Sequence, residues 1–205
     1  MKRLTIISLL MSIALTSSAQ KSLWKSRISF GVEWGYVATF NSGYHYNFFA
    51  PEGFRVNPSG NSFTFTFISN AETYLHIGYD ITDDWNISLY AGYAGIADFH
   101  HAVPVSIRGT RFFERNSKGD RWIAFLDLGS GICLKKNPQT LLCGKIGGGY
   151  RISLSKDTSL DFIMTLRTTL GHPDIDFYGE IIPIDKINRN NAYANAISFG
   201  MAVTF

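Results

Sequence analysis

The sequence predicts an all-β protein: an eight-stranded antiparallel up-and-down transmembrane β-barrel. Three observations predict it. Apolar residues recur at every second position in eight separate stretches, the period of a strand with two different environments. Tight polar turns alternate with longer connections along the chain. No run of ~18 apolar residues follows the N-terminal segment, so no helix is long enough to cross a bilayer.

The first element is the leader. In "MKRLTIISLLMSIALTSSAQ", Lys2 and Arg3 precede a short apolar run, and Ser17 and Ala19 are small residues at a cleavage site. This is the pattern of a secretory signal peptide. The expected division is residues 1–19, a signal peptide that is removed, and residues 20–205, one barrel domain. The formal charge of +3 is largely this leader, since without Lys2 and Arg3 there remain 17 basic against 16 acidic residues. Together with the lack of a basic run or zinc spacing, this leaves no case for nucleic acid. Charged residues make up 17% of the chain and aromatics 15%, a low-charge, aromatic-rich composition for a protein with no membrane helix.

The strands follow in order. "RISFGVEWGY" sets Ile28, Phe30, Val32, Trp34 and Tyr36 against Arg27, Ser29, Gly31, Glu33 and Gly35. "YLHIGYD" sets Leu75, Ile77 and Tyr79 against Tyr74, His76, Gly78 and Asp80. "WNISLYAGYAG" and "VPVSIRGTRFF" repeat the pattern, the latter with Arg108 on its polar side. Residues 122–134 place Leu126, Leu128, Ile132 and Leu134 opposite Asp127 and Cys133. Residues 141–154 place Leu142, Ile146 and Tyr150 opposite Cys143, Lys145 and Arg151. Residues 159–170 oppose Leu160, Phe162, Met164, Leu166 and Leu170 to Asp161 and Arg167, and residues 192–205 close the set. All but the second reach the ~9–11 residues that a tilted membrane strand needs.

Short turns at residues 81–84, 116–120 and 155–158 join strands two to three, four to five and six to seven. The longest connections, residues 41–70 and 171–191, fall at the other end; "KKNPQ" is short for that end. Short turns at one end and long loops at the other is the layout of an outer-membrane barrel, which puts both termini in the periplasm.

The faces agree with this layout. The apolar face is aliphatic in the middle and aromatic at its ends, with Trp34, Tyr36, Tyr79, Trp85, Tyr93, Trp122 and Phe205 as interface aromatics, since such rings favour the membrane boundary. The other face carries Glu33, Arg108, Asp127, Lys145, Arg151, Asp161 and Arg167. Buried charge is tolerated only when paired, so a lumen charge network is expected, filling a barrel too narrow for an open channel.

The chain as given ends on Phe205, with Ile197, Phe199, Met201 and Val203 at alternate positions before it. This resembles the C-terminal signature of bacterial outer-membrane barrels, and the whole mature region resembles the small eight-stranded OmpA-like and OmpX-like barrel family of Gram-negative bacteria. The resemblance rests on the leader, the eight amphipathic segments, the turn lengths and Phe205. It implies a monomer in outer-membrane lipid, assembled by the barrel-assembly machinery through the last strand. The family is functionally diverse, so it indicates fold and location more than activity.

Candidate chemistry is sparse. Cys133 and Cys143 share an inward phase on either side of a short loop. A hairpin centred near Pro138 would oppose them, leaving two readings open: a cross-strand disulfide or two reduced thiols. Some barrels of the resembled family are lipid A-modifying enzymes that use His with Ser and an acid. Here His45 has Ser42 and Glu52 nearby in sequence, His76 faces inward beside Tyr74 and Asp80 in phase, and His100, His101 and His172 lie in loops. No nucleophile, base and orienter assemble from sequence alone, so no catalytic residue, metal ligand or cofactor site is assigned. "GKIGGGY" lacks the P-loop order and no helix follows it. The expected role is structural or surface-interaction, with extracellular loops presented to an unknown partner. The alternatives are a lipid A-modifying enzyme, a small-solute pore and a soluble lipocalin-like barrel. Phe63, Phe65 and Phe67 alternate within the first long loop, which is either an extra strand above the membrane or a lid.

Overall fold

The computed structural model describes residues 27–96, 100–113, 119–134 and 139–205. The signal peptide expected at residues 1–19 lies outside them. Eight long strands form the body: β1 (Ile28–Phe49), β2 (Ser59–Asp80), β3 (Trp85–Ile96), β4 (His100–Phe113), β5 (Arg121–Cys133), β6 (Gln139–Ser153), β7 (Ser159–Gly171) and β8 (Ile187–Thr204). Each pairs antiparallel with its neighbour in sequence, and β8 pairs back onto β1. The sheet therefore closes on itself. Phe205 continues the closing seam, exchanging both backbone hydrogen bonds with Phe30 at 3.1 and 2.7 Å. Closure satisfies the backbone without leaving an edge along the body.

The barrel is built inside out, the arrangement of a transmembrane barrel. Outward positions are large and apolar, among them Leu75, Ile107, Leu128, Ile146 and Met164, all more than half exposed. Inward positions on the same strands are charged or small. On β7, the outward residues from Leu160 to Leu170 cover ten residue steps, about 33 Å along a strand and about 25 Å of height at a tilt near ~40°. That is the thickness of the apolar band of an outer-membrane barrel.

Two expectations about loops are corrected. Residues 41–70 are not a long loop. β1 runs on to Phe49 and β2 begins at Ser59, so the connection is residues 50–58, and the alternating phenylalanines belong to β2 itself. Likewise β8 starts at Ile187, which leaves residues 172–186 as the last connection. The second strand, expected over residues 74–80, is three times that span. Three strands therefore continue past the apolar band as a small sheet above one side of the barrel.

A register change separates the two parts. Thr39 faces Ala196 and Asn41 faces Asn195, so Phe40 is an extra residue on β1 with no counterpart on β8. On the other side Thr39 pairs with Ile68 and Asn41 with Phe63, so four residues of β2 intervene where β1 has only Phe40. A one-residue bulge inverts which face each side chain meets. Below it the odd residues Gly31, Glu33, Val37 and Thr39 are buried inside; above it Tyr44, Tyr46 and Phe48 turn inward instead.

Phe48 then anchors a separate apolar cluster with Ile175 and Ile182, flanked by Tyr46, Val56, Phe177 and Ile187. Residues 172–186 fold over this cluster through a small hairpin, Asp176–Phe177 paired with Glu180–Ile181. This cap is packed in the ordinary way, apolar inside.

Candidate functional site

The lumen is filled in three levels. Near the short turns, the Arg151 guanidinium donates two hydrogen bonds to Asp161, both 2.7 Å. Phe112 lies beneath Arg151, 4.7 Å from the guanidinium carbon, and packs with Ile123, Phe125 and Ile163. In the middle, Arg108 donates to Glu33 at 2.6 and 3.2 Å and to Asp127 at 3.1 Å. Its guanidinium is held between the rings of Tyr90 and Phe125, at 3.9 and 4.2 Å. Toward the long loops, Glu72 accepts from Lys145 at 3.5 Å, Arg167 at 3.3 Å and the Tyr74 hydroxyl at 3.2 Å. Arg167 also donates to the Gly95 carbonyl at 2.7 Å.

Strand register explains why these groups meet. Arg108, Asp127, Lys145 and Arg167 are successive cross-strand partners over β4 to β7, one belt of side chains that climbs from the middle level toward the long loops as the strands tilt. Glu33 and Glu72 reach the belt from the opposite wall, on β1 and β2. The charges balance: Arg108, Lys145, Arg151 and Arg167 against Glu33, Glu72, Asp127 and Asp161. Burying an ion costs several kcal/mol, and only this full pairing makes eight of them tolerable. Glycine makes part of the room: a Cβ on Gly31 would sit 2.2 Å from the His76 ring.

Of the network residues expected from sequence, Glu33, Arg108 and Asp127 form one cluster and Arg151 and Asp161 another. Lys145 and Arg167 join through Glu72, which the sequence reading missed because it began the second strand at Tyr74. Continuing the inward phase of Tyr74 and His76 back by two residues would have reached it. A lumen cavity of about 30 Å³ beside His76, Arg108 and Asp161 has room for a water molecule or two.

Trp34, Tyr36, Tyr79, Trp85, Tyr93 and Trp122 all point outward, between 38% and 62% exposed. Arg111 lies between Trp85 and Phe113 at 5.5 and 5.2 Å, a cation at the edge of the apolar band. Tyr93 stacks on His101 and its hydroxyl meets Nδ1 at 2.5 Å.

The cysteine expectation is corrected on one arm. Cys143 faces Gly129 and Cys133 faces Gln139, so the hairpin centres on residue 136 and the two thiols lie four positions apart along the pair. No disulfide joins them. Both belong to an apolar cluster with Ile96, Ala102 and Leu141 that caps the charged belt.

The histidines are dispersed. His76 is buried, stacked on Tyr90 at 4.8 Å, with Nε2 3.4 Å from the Thr204 hydroxyl. His45 Nε2 bonds the Asn57 amide oxygen at 3.2 Å, and His172 bonds the Asn190 carbonyl. Ser42 and His45 are three residues apart on one strand and so point to opposite faces. The His100 side chain lies outside the described set. Among the described residues no three His, Cys, Asp or Glu side chains are grouped to hold a metal.

Above the apolar cluster, at the long-loop mouth, lies a cavity of about 620 Å³. Its floor is Ile96, Cys133 and Leu141, and Pro173 of the last connection forms part of its wall. Tyr44 and Tyr46 line it from β1, and Ala192 and Ala194 from β8. The tyrosine rings are stacked, 4.8 Å between centroids and 27° between planes. Burial, and secondarily Tyr44, raises the Tyr46 phenol above its ordinary pKa, so that ring stays neutral.

No protein-family model matches the sequence, and no curated protein matches it. Solved structures do. The chain is similar to the N-terminal β-barrel domain of Pseudomonas aeruginosa OprF, at 15% identity over 86% of this chain and 97% of that one, with a TM-score of 0.45. It is similar to Neisserial surface protein A at 13% identity over 86% and 97%, TM-score 0.43. It is also similar to outer membrane protein OprG of Pseudomonas aeruginosa at 10% identity over 88% and 97%, TM-score 0.47.

Proposed function

We propose that this chain is a monomeric outer-membrane barrel of a Gram-negative bacterium that holds a folded surface structure, without catalysis or conduction of its own. The inside-out distribution of side chains carries the reading: a ring of outward aliphatics bounded by aromatics, around eight paired charges. In water this surface would be a large exposed apolar patch; in lipid it is the favourable one. In this reading residues 1–19 are cleaved, both termini face the periplasm, and the last strand is what the barrel-assembly machinery engages. The cap and the mouth cavity then face outward and are the parts available to a partner. The filled lumen supports a role other than a pore, and the scattered histidines support a role other than lipid A chemistry.

The test is heat-modifiability after membrane fractionation, with protease shaving of whole cells. A membrane-bound band that changes mobility on boiling, with cleavage confined to the cap, is the expected result. Recovery in the soluble fraction without a mobility shift would overturn the reading. Unchanged lipid A mass in a strain lacking the protein and the absence of conductance in planar bilayers are the matching expectations for the two alternatives.

A further inference from the structure

The mouth cavity differs chemically from the lumen beneath it. Eight paired ionised side chains fill the lumen below, yet among the described residues lining the cavity none is charged. An ionic ligand would find no counter-ion among those described residues. Ser42, Gln139 and Thr169 supply neutral donors and acceptors among the apolar residues. A wholly apolar occupant would cover those groups without replacing their hydrogen bonds to water. The volume, about 620 Å³, lies within the ~300–1,000 Å³ usual for a small-molecule site.

One wall of it is a flat aromatic platform. The Tyr44 ring lies across the backbone of Gly60, where any Cβ would come within 2.8 Å of it. Tyr46 stacks beside it, and Tyr44 remains 42% exposed. Beside it, β8 lines the cavity with Ala192, Tyr193 and Ala194, and the small Ala192 is the direct cross-strand partner of Tyr44. The platform depends on the bulge at Phe40, which turns Tyr44 to this side. An aromatic face is electron-rich and attracts the C–H groups on the apolar face of a ring.

We propose that this cavity binds a neutral saccharide, its apolar ring face on Tyr44 and its hydroxyls on Ser42, Gln139 and Thr169. The proposal rests on the surface reading above only in requiring that the mouth face the exterior. The experiment is saturation-transfer difference NMR on the detergent-folded protein. The probes are the methyl glycosides of glucose, galactose, mannose and N-acetylglucosamine, with benzyl alcohol and methyl glucuronide as apolar and anionic controls. At least one neutral glycoside should receive saturation, with affinity falling about tenfold in Tyr44→Ala and in Tyr44→Leu, which keeps apolar bulk but removes the flat face. Gly60→Val, which displaces the Tyr44 ring, should weaken it similarly. Silence from all four glycosides, a signal that survives both Tyr44 variants, or a Tyr44-dependent signal from a control alone would overturn the proposal. Boiled and unboiled gels of the same samples separate the two ideas. A heat-modifiable band without saccharide binding sinks the ligand and leaves the membrane reading standing; loss of the band in the parent protein sinks the membrane reading.

Discussion

The barrel body and the cap above it obey opposite rules within one chain. In the body, Leu128 and Ile146 face outward and Arg108 and Asp127 face inward. In the cap, Phe48, Ile175 and Ile182 are buried while Glu52 and Asp185 are exposed. β1 takes part in both, and the extra residue at Phe40 marks the crossing from one rule to the other. The difference teaches that the solvent, more than the strand, decides what alternation means. In lipid the outward side chains must be apolar, and the interior accepts charge only if it is paired. In water the usual burial of apolar surface returns.

The comparison is broken most severely at the centre of the belt. Arg108→Ala leaves Glu33 and Asp127 buried without their counter-ion and is expected to cost about 3–5 kcal/mol of whole-barrel stability. Urea titration of the heat-modifiable band would measure it, with Glu52→Ala in the cap as a control expected within about 0.5 kcal/mol. Phe48→Ala removes the cap's central ring, a loss of about 3 kcal/mol that should stay local. Limited proteolysis should then cut within residues 172–186 while the barrel's urea midpoint holds. A shared fall in both would show that cap and body unfold as one. Next comes Leu166→Arg in the apolar band, at about 2 kcal/mol or more depending on depth. The same change at Ile184, 88% exposed in the cap, should be nearly neutral by the same titration. Equal effects at the two sites would mean that the band is not in lipid.

These rules also account for what the sequence made legible. Seven of the eight body strands are readable because lipid demands an apolar residue at each outward step, and the record is periodic. β2 is legible as a membrane strand only from Tyr74, because its upper half, residues 59–71, carries no such demand, and its alternating Phe63, Phe65 and Phe67 suit a separate strand or a lid as well. Glu72 lies between that half and Tyr74, so a strand that starts at Tyr74 leaves it out of the lumen. The bulge left no mark, since Phe40 is one more aromatic between Tyr36 and Tyr44. A hairpin centred near Pro138 opposes the cysteines, whereas the observed register is centred two residues earlier; phase is written in the alternation, but register is fixed by the turn. The mouth cavity was invisible for the same reason, because Tyr44 faces it only after the phase inversion.

The smallest expected effect bears on how far the cap is tuned for stability. Its hairpin turns through Tyr178 and Gly179, with φ of 54° and 87°, and the Gly179 amide donates to the Asp176 carboxylate at 2.8 Å. Two positive φ values in a two-residue loop describe a turn that favours Asn-Gly. Gly179 adopts its conformation freely; a tyrosine at φ 54° does so against its own Cβ. Tyr178 is nevertheless 92% exposed, and its ring packs edge-on against Phe177 at 4.6 Å. Tyr178→Asn should stabilise the hairpin by about 0.5 kcal/mol, the relief of strain less the lost ring contact. Hydrogen exchange of the Ile182 amide, which donates to Ile175 at 2.9 Å, reports opening of that hairpin and should slow about twofold, while the Phe205 amide in the barrel seam should not respond. Faster exchange would mean that the ring contact outweighs the strain and that Tyr178 is there to hold the cap shut. Slower exchange would mean that the cap tolerates strain at its tip, where the Tyr178 ring contact does not offset the cost of its positive φ.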